Sequence, residues 1–320
     1  MSFKQVNYDI IKNCVDIPFN LYLNVEGSYI LYATPEKFGS NGFRLQENAL
    51  LYINNEDNVK YLQLVEDNIK NIMNNPLIPV KEKGRIIHEH SLDVISDMFK
   101  KTKTEFLSID YMDKISDIID NIFVFITNSV DVMSNLQKLI STSYLEYVHS
   151  LNTSVFAMSL LHHHSLVNNT MIPRRSVVKN IGICGILHDI GKNRFTFDHS
   201  KKRILTKDEQ NQVYKHPIYG LEIAQFMKLD SSIYNGILFH HEKLDGSGYP
   251  TGTKNINEYA KVISICDTFS AMTSERLYRE TKQYSHFESL KIIHNLALSN
   301  KFDMNYVKSF IQLISTNQFK

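Results

Sequence analysis

The chain has 320 residues, more than one typical domain of roughly 100–200, so two units and a sizeable core are expected. Hydrophobic residues make up 43% and charged residues 22%, ordinary values for a globular chain that exclude a largely disordered or membrane-embedded protein. Lysine plus arginine (35) nearly cancel aspartate plus glutamate (34), and a net charge of +1 gives no electrostatic footprint for polymeric nucleic acid or anionic lipid.

Glycine (12) and proline (7) are scarce, which favours long helices. Cys14, Cys184 and Cys266 are too few and too widely spaced for a disulfide framework or a CxxC site, so a reducing cytoplasm is expected, with Cys184 and Cys266 as buried inert thiols. The start, MSFKQVNYDI, lacks the basic and apolar regions of a secretion signal, and no run of 18 apolar residues occurs; neither a leader nor a membrane anchor is expected.

In chain order, FNLYLNV from Phe19 and YILYAT from Tyr29 alternate like strands, with Glu26-Gly27-Ser28 able to turn a hairpin between them. ALLYI from Ala49 is a third candidate strand. Val59, Leu62, Val65, Ile69 and Ile72 then recur at helical steps, ending near Asn74-Asn75-Pro76. Residues 1–75 thus read as a small α/β module with a regulatory or partner-binding role.

Residues 76–140 read as a helical connector, on Ile87, Val94 and Met98, then Ile109 to Ile122, then Val130 to Ile140. Their apolar stripe serves as ordinary core or as the seam of a homodimer. From 141 to 320 the text is free of strands, so the fold class is α+β overall: a small N-terminal α/β module and an all-α domain.

Chemistry concentrates in that last part. In ICGILHDIGK an apolar run ends in His188-Asp189, where a buried hydrogen-bonded pair competes with a pair of metal ligands. His149 in YLEYVHSLN, by itself, reads as a core histidine, and His216 in KHP as a cap. FHHEKLDGSGYP adds adjacent His240 and His241, which are costly to bury without partners, and VISICDTFSAM adds the lone carboxylate Asp267 in an apolar run. One binuclear centre accounts for all seven. Imidazole and carboxylate without thiolate suit catalytic iron, manganese or zinc, and two such metals suit phosphodiester hydrolysis.

HDIGK, KHP, HHEKLDGSGYP and DTFSAMTSERLYR, in this order, resemble the HD-GYP branch of the HD-domain metal-dependent phosphohydrolases, across residues 140–320. The resemblance implies a helical HD-type domain that hydrolyses cyclic di-GMP to linear pGpG and/or GMP with a metal-bridging hydroxide. It implies that His149, His188, Asp189 and Asp267 hold one metal, and that His216, His240 and His241, with Asp189 bridging, hold the second. Asp189 and Lys192 are the catalytic residues it implies, Lys192 also contacting a substrate phosphate. Arg276 and Arg279 would hold the nucleotide, and Asp245, Gly246, Gly248, Tyr249 and Pro250 would form the signature loop beside it, with Tyr249 either packing or touching a base. GGDEF-type diguanylate cyclase domains are the protein partners it suggests.

Some positions depart from the family pattern. Leu145 stands where three-metal members carry a glutamate, so two divalent ions are expected, iron or manganese ahead of zinc. Ser270 replaces an aspartate, Leu277 replaces a proline, and the stretch between Lys192 and His216 is atypical enough to reshape the entrance. A receptor for cyclic di-GMP without turnover, and a phosphodiesterase for another cyclic dinucleotide such as cyclic GMP-AMP, are the competing readings. His162-His163-His164 reads as a solvated helix end, and His88 and His90 as surface residues.

Overall fold

The structure, a computed structural model, describes residues 2–40, 43–47, 49–76, 78–102, 109–127, 139–140, 145–198, 204–275 and 283–315. The chain divides into two compact units, Met1–Asp93 and Val94–Lys320. The division falls inside a helix of the stretch expected to connect them.

The first unit is an antiparallel four-stranded sheet with helices on one face. Its strands β1 (Phe3–Val6), β2 (Leu21–Val25), β3 (Ser28–Ala33) and β4 (Leu51–Asn54) lie in the order β1-β4-β2-β3, with short helices α1 (Tyr8–Lys12) and α2 (Pro35–Phe38) between them. The β2–β3 hairpin turns at Glu26 and Gly27, both at positive φ, as the Glu-Gly-Ser text predicts. Helix α3 (Asn58–Asn74) lays Tyr61, Leu62, Val65 and Ile72 into one core with Leu21, Leu51 and Ile53 of the sheet. Val59, expected on that stripe, is 68% exposed; Tyr61 takes the buried place in the first turn instead.

Helix α4 (Val80–Lys101) begins in the first unit, and α5 (Ile109–Thr127) follows in the second. His90 on α4 is buried rather than at the surface.

The second unit is built round α6 (Glu146–Val167), which is buried on nearly every side from Val148 to Leu161. Around it pack α7 (Arg175–Leu187), α10 (Glu258–Thr273) and α12 (Met304–Ser315). Phe156, Phe269 and Phe310 meet edge to face at 5.1–5.9 Å at the centre of this packing. A Cβ on Gly185 would come within 2.5 Å of Ser154 Cα, so the glycine is what lets α7 approach α6 closely enough to bring His149 and His188 to one place. Helices α8 (Lys207–Phe226), α9 (Ser231–Phe239) and α11 (His286–Leu298) also belong to the unit.

His164 is not a solvated cap. The helix runs on to Val167, and the His164 ring packs on Tyr306 at 4.4 Å with Nδ1 2.8 Å from Ser309 Oγ.

Candidate metal centre

Each of the candidate histidines His188, His216 and His240 sits where the backbone leaves a carbonyl without a helical partner. His188 follows the last residue of α7, and its Nδ1 donates to Gly185 O at 2.7 Å. His240 follows the last residue of α9, and its Nδ1 donates to Ile237 O at 2.6 Å. His216 lies inside α8, but the next residue, Pro217, has no N–H to give to Val213 O, and His216 Nδ1 takes that carbonyl at 2.6 Å. The proline of KHP therefore has a local physical reason. In the neutral form of all three rings the proton then sits on Nδ1, and Nε2 presents the lone pair.

Those lone pairs converge on Asp189, which is buried. Asp189 Oδ1 lies 3.2 Å from His216 Nε2 and 3.9 Å from His240 Nε2. Its other oxygen, Oδ2, lies 3.4 Å from His188 Nε2 and 3.8 Å from His149 Nε2. One carboxylate thus faces two different ligand sets with its two oxygens, the geometry of a bridge. The Lys192 ammonium contacts Oδ2 as well. Asp267 Oδ1 is 3.0 Å from His149 Nε2 and 3.8 Å from His188 Nε2, and its Oδ2 is 4.0 Å from His241 Nδ1. Two groups result, Asp189/His216/His240/His241 and His149/His188/Asp267, each with its ligand atoms within 4.8 Å of one another.

These residues fit a cation on three counts. His216 Nε2 and His240 Nε2 are 3.2 Å apart, two acceptors face to face with no proton to share. His188 Nε2 and Asp189 Oδ1 are fully buried and make no hydrogen bond among the described residues, a costly state unless a positive ion lies between them. The electrostatics agree. Burial opposes charge on His188, yet Asp189 and Asp267 outweigh it and push its pKa up to about 10, so the cluster demands positive charge at its centre. Burial also works against ionised Asp189 and Asp267, but Lys192 and His188 for the first, and His149 and His188 for the second, hold both well below the usual carboxylate range. Burial, followed by neighbouring imidazoles, pushes His240 down to about 3 and His241 well below its ordinary value, the neutral form that binds metal.

His149 is held differently. Its Nδ1 is 2.9 Å from Ser270 Oγ on α10, a partner 121 residues away in sequence. Ser270, the residue that departs from the family pattern, thus orients a candidate ligand. Ser270→Ala removes the hydroxyl that orients the His149 ring and is expected to weaken metal binding by about 10-fold, the lower end for loss of a supporting hydrogen bond, while Ser270→Asp retains it. Titration of metal into the two variants checks this.

The signature loop folds back over the candidate ligands. Gly246 is at positive φ, and a Cβ on Gly248 would come within 2.5 Å of His241 O and Lys243 N, so only glycine fits there. The buried Glu242 carboxylate, whose role the sequence did not disclose although it stands in the HHE run, accepts from Thr251 N at 2.6 Å, Thr251 Oγ1 at 2.8 Å and Gly252 N at 3.0 Å. Tyr249 stacks on His241 at 4.6 Å and 29°. Asp245 does not join the ligand groups; its Oδ1 accepts from Ser247 N and Oγ at 2.9 and 2.7 Å and shapes the turn. Arg276 and Arg279 lie outside the described residues.

Residues 163–306 match the family model of the HD domain. The match covers a little under half of the chain. HDIGK and the HHEKLDGSGYP signature of the HD-GYP branch both lie inside the match, and His149 lies upstream of it. A cyclic di-GMP phosphodiesterase of Pseudomonas aeruginosa is 26% identical over 204 residues, 62% of this chain and 46% of that protein. The cyclic di-GMP phosphodiesterase PdeB of Borreliella burgdorferi is 31% identical over 177 residues, 53% of this chain and 43% of that protein. A shorter match, 33% over 109 residues (32% of this chain, 24% of that protein), reaches a 3′3′-cGAMP-specific phosphodiesterase of Vibrio cholerae. The chain thus spans less than half the length of the first two relatives. Its fold resembles that of Bd1817, a HDG"Y"P protein from Bdellovibrio bacteriovorus, with a TM-score of 0.68 over 98% of this chain and 99% of the other, at 17% identity. Among the described residues no helix is long and apolar enough to cross a membrane.

Proposed function

We propose that this HD-domain chain hydrolyses the phosphodiester bonds of a cyclic dinucleotide, cyclic di-GMP before others, to linear pGpG and/or GMP. The observation that carries the reading is Asp189 turned with one oxygen to each of two histidine groups and with Lys192 upon it. The names of the relatives supply the substrate class.

His149, His188 and Asp267 would hold one divalent ion and His216, His240 and His241 the other, with Asp189 shared; iron and manganese are favoured over zinc. Bound there, the ions would supply Lewis acidity at phosphorus. The chain's own part is positioning. The backbone carbonyls fix the imidazoles in the metal-binding tautomer, and Lys192 places a point charge where a non-bridging phosphate oxygen would lie. Arg276, Arg279 and the Asp245–Tyr249 loop are proposed to border the nucleotide. The N-terminal unit is proposed to regulate this activity or to dock a partner, GGDEF-type cyclase domains and a second copy of the chain being the candidates, in the cytoplasm.

A second reading, cyclic GMP-AMP as substrate, is favoured by the match to the 3′3′-cGAMP-specific enzyme. Anaerobic incubation of the full chain with iron(II) or manganese(II) and each dinucleotide, followed by chromatography, separates the readings. Consumption of cyclic di-GMP ahead of cyclic GMP-AMP is expected; the reverse order transfers the assignment to the second substrate, and binding of either without consumption makes the protein a receptor.

A further inference from the structure

The atypical stretch after Lys192 places two aromatic rings beside the candidate centre. Phe195 and Phe197 flank Thr196, so both side chains leave the same turn, and their rings stack at 5.3 Å and 4°. This turn is tied to the helix that carries His216: Thr196 N donates to Gln212 Oε1 at 3.0 Å, and Gln212 Nε2 donates to Thr196 Oγ1 at 3.1 Å. Gln212 lies one helical turn before His216, so the pair is registered against a candidate ligand. The Phe195 ring stands perpendicular to His216 at 6.5 Å. A second aromatic pair borders the same imidazole. Tyr249 is 6.4 Å from His216, and Tyr214, 46% exposed on α8, meets Tyr249 edge to face at 4.9 Å.

Phe195 and Phe197 are both only partly buried, beside a polar, charge-dense site rather than in the apolar core. Flat, partly exposed rings within reach of a phosphate site are what a nucleobase stacks on, because every base presents a π-face whatever its edge. A phosphodiester placed at Lys192 and His216 carries a nucleoside to either side. We propose that the Phe195–Phe197 pair and Tyr214 are the stacking surfaces for the two purine bases of the substrate, and that this chain, through its atypical Asn193–Phe197 turn, takes affinity from the bases as well as from the phosphates. The inference rests on the cyclic dinucleotide reading for its two-base form.

Stacking on one aromatic side chain changes affinity by about 10- to 100-fold. GMP and ribose 5-phosphate share phosphate and sugar and differ only in the base, so calorimetric titration of both into the metal-loaded full chain isolates the contribution of stacking. GMP is expected to bind at least about 10-fold more tightly. Phe197→Ala should remove most of that advantage with ribose 5-phosphate binding and metal content unchanged, Phe197→Tyr should restore it, and Tyr214→Ala should raise KM for cyclic di-GMP while sparing kcat. Equal binding of GMP and ribose 5-phosphate by the unaltered protein, no binding of GMP, or equal weakening of both ligands in Phe197→Ala overturns the platform. Turnover of cyclic di-GMP on the same preparation keeps the two proposals apart. Base-selective binding lost in Phe197→Ala without any turnover supports the platform and sinks the hydrolase reading, whereas turnover with KM unmoved in both variants overturns the platform alone.

Discussion

Replacing Asp189 by asparagine is expected to lower cyclic di-GMP turnover by at least about 10³-fold, because several kcal/mol of metal-derived charge stabilisation is at stake and each 1.36 kcal/mol is a factor of ten. Oδ1 serves the His216/His240 group and Oδ2 the His149/His188 group, so one substitution removes a ligand from both. An asparagine keeps the volume but offers one acceptor and no charge, which leaves His216, His240 and His241 without their carboxylate and His149 and His188 with Asp267 alone. Metal content should fall with activity, and circular dichroism should stay that of the unaltered protein. Lys192→Ala is the informative contrast: it leaves every candidate ligand in place, so it should lose turnover while retaining metal. An Asp189→Asn protein that keeps its metal and its rate would remove Asp189 from the bridge.

Gly191→Ala is expected to be the most damaging change that replaces no candidate ligand. A methyl group on Gly191 would press into the His216 carbonyl oxygen and come within 2.6 Å of the Gly220 amide, closer than real Cβ atoms approach backbone. The obstacle is main chain on both sides, so no rotamer relieves it. Overpacking of this kind costs about 3 kcal/mol or more, which for a unit of this size lowers Tm by about 6–12 °C. Relief would come from α8 moving away from Asp189, taking His216 with it, and the second ligand group should lose its ion while His149, His188 and Asp267 keep theirs. Thermal unfolding and metal stoichiometry together check this; an unchanged Tm with both ions retained would refute the close-approach argument. The glycine of HDIGK is thus explained by packing of the His216 helix onto the His188-Asp189 turn.

Much of the centre was legible because a buried ligand is conspicuous in text. His188-Asp189 closes an apolar run, His240-His241 closes another, and Asp267 interrupts a third; each is an expensive residue in an otherwise cheap place. The supporting shell was not legible, for a physical reason. Backbone carbonyls carry no side-chain letter, so the locks on His188, His216 and His240 show only as a helix end or a proline, and the Ser270 contact to His149 joins segments that no periodicity relates. Glu242 clasps residues nine and ten places on in sequence, through two backbone amides, which carry no side-chain letter, and the Thr251 hydroxyl.

In the first unit the β2–β3 hairpin was readable from alternation around a Glu-Gly turn. Strand β1 was not, since FKQV is four residues long and carries two polar side chains at the sheet edge. Val59 and His164 show the same limit from the other side. A helical period says which residues share a face, and packing partners decide which face is buried: Tyr61 displaced Val59 in α3, and α12 covered His164 on α6.

Elemental analysis of the full chain, purified anaerobically and reconstituted in turn with iron(II), manganese(II) and zinc(II), tests the binuclear account most directly when the same samples are assayed with cyclic di-GMP. About two ions per chain, with turnover that appears with them and is lost on chelation, is the expected result. A chain that stays metal-free under all three conditions, or hydrolysis that persists after complete chelation, would contradict it.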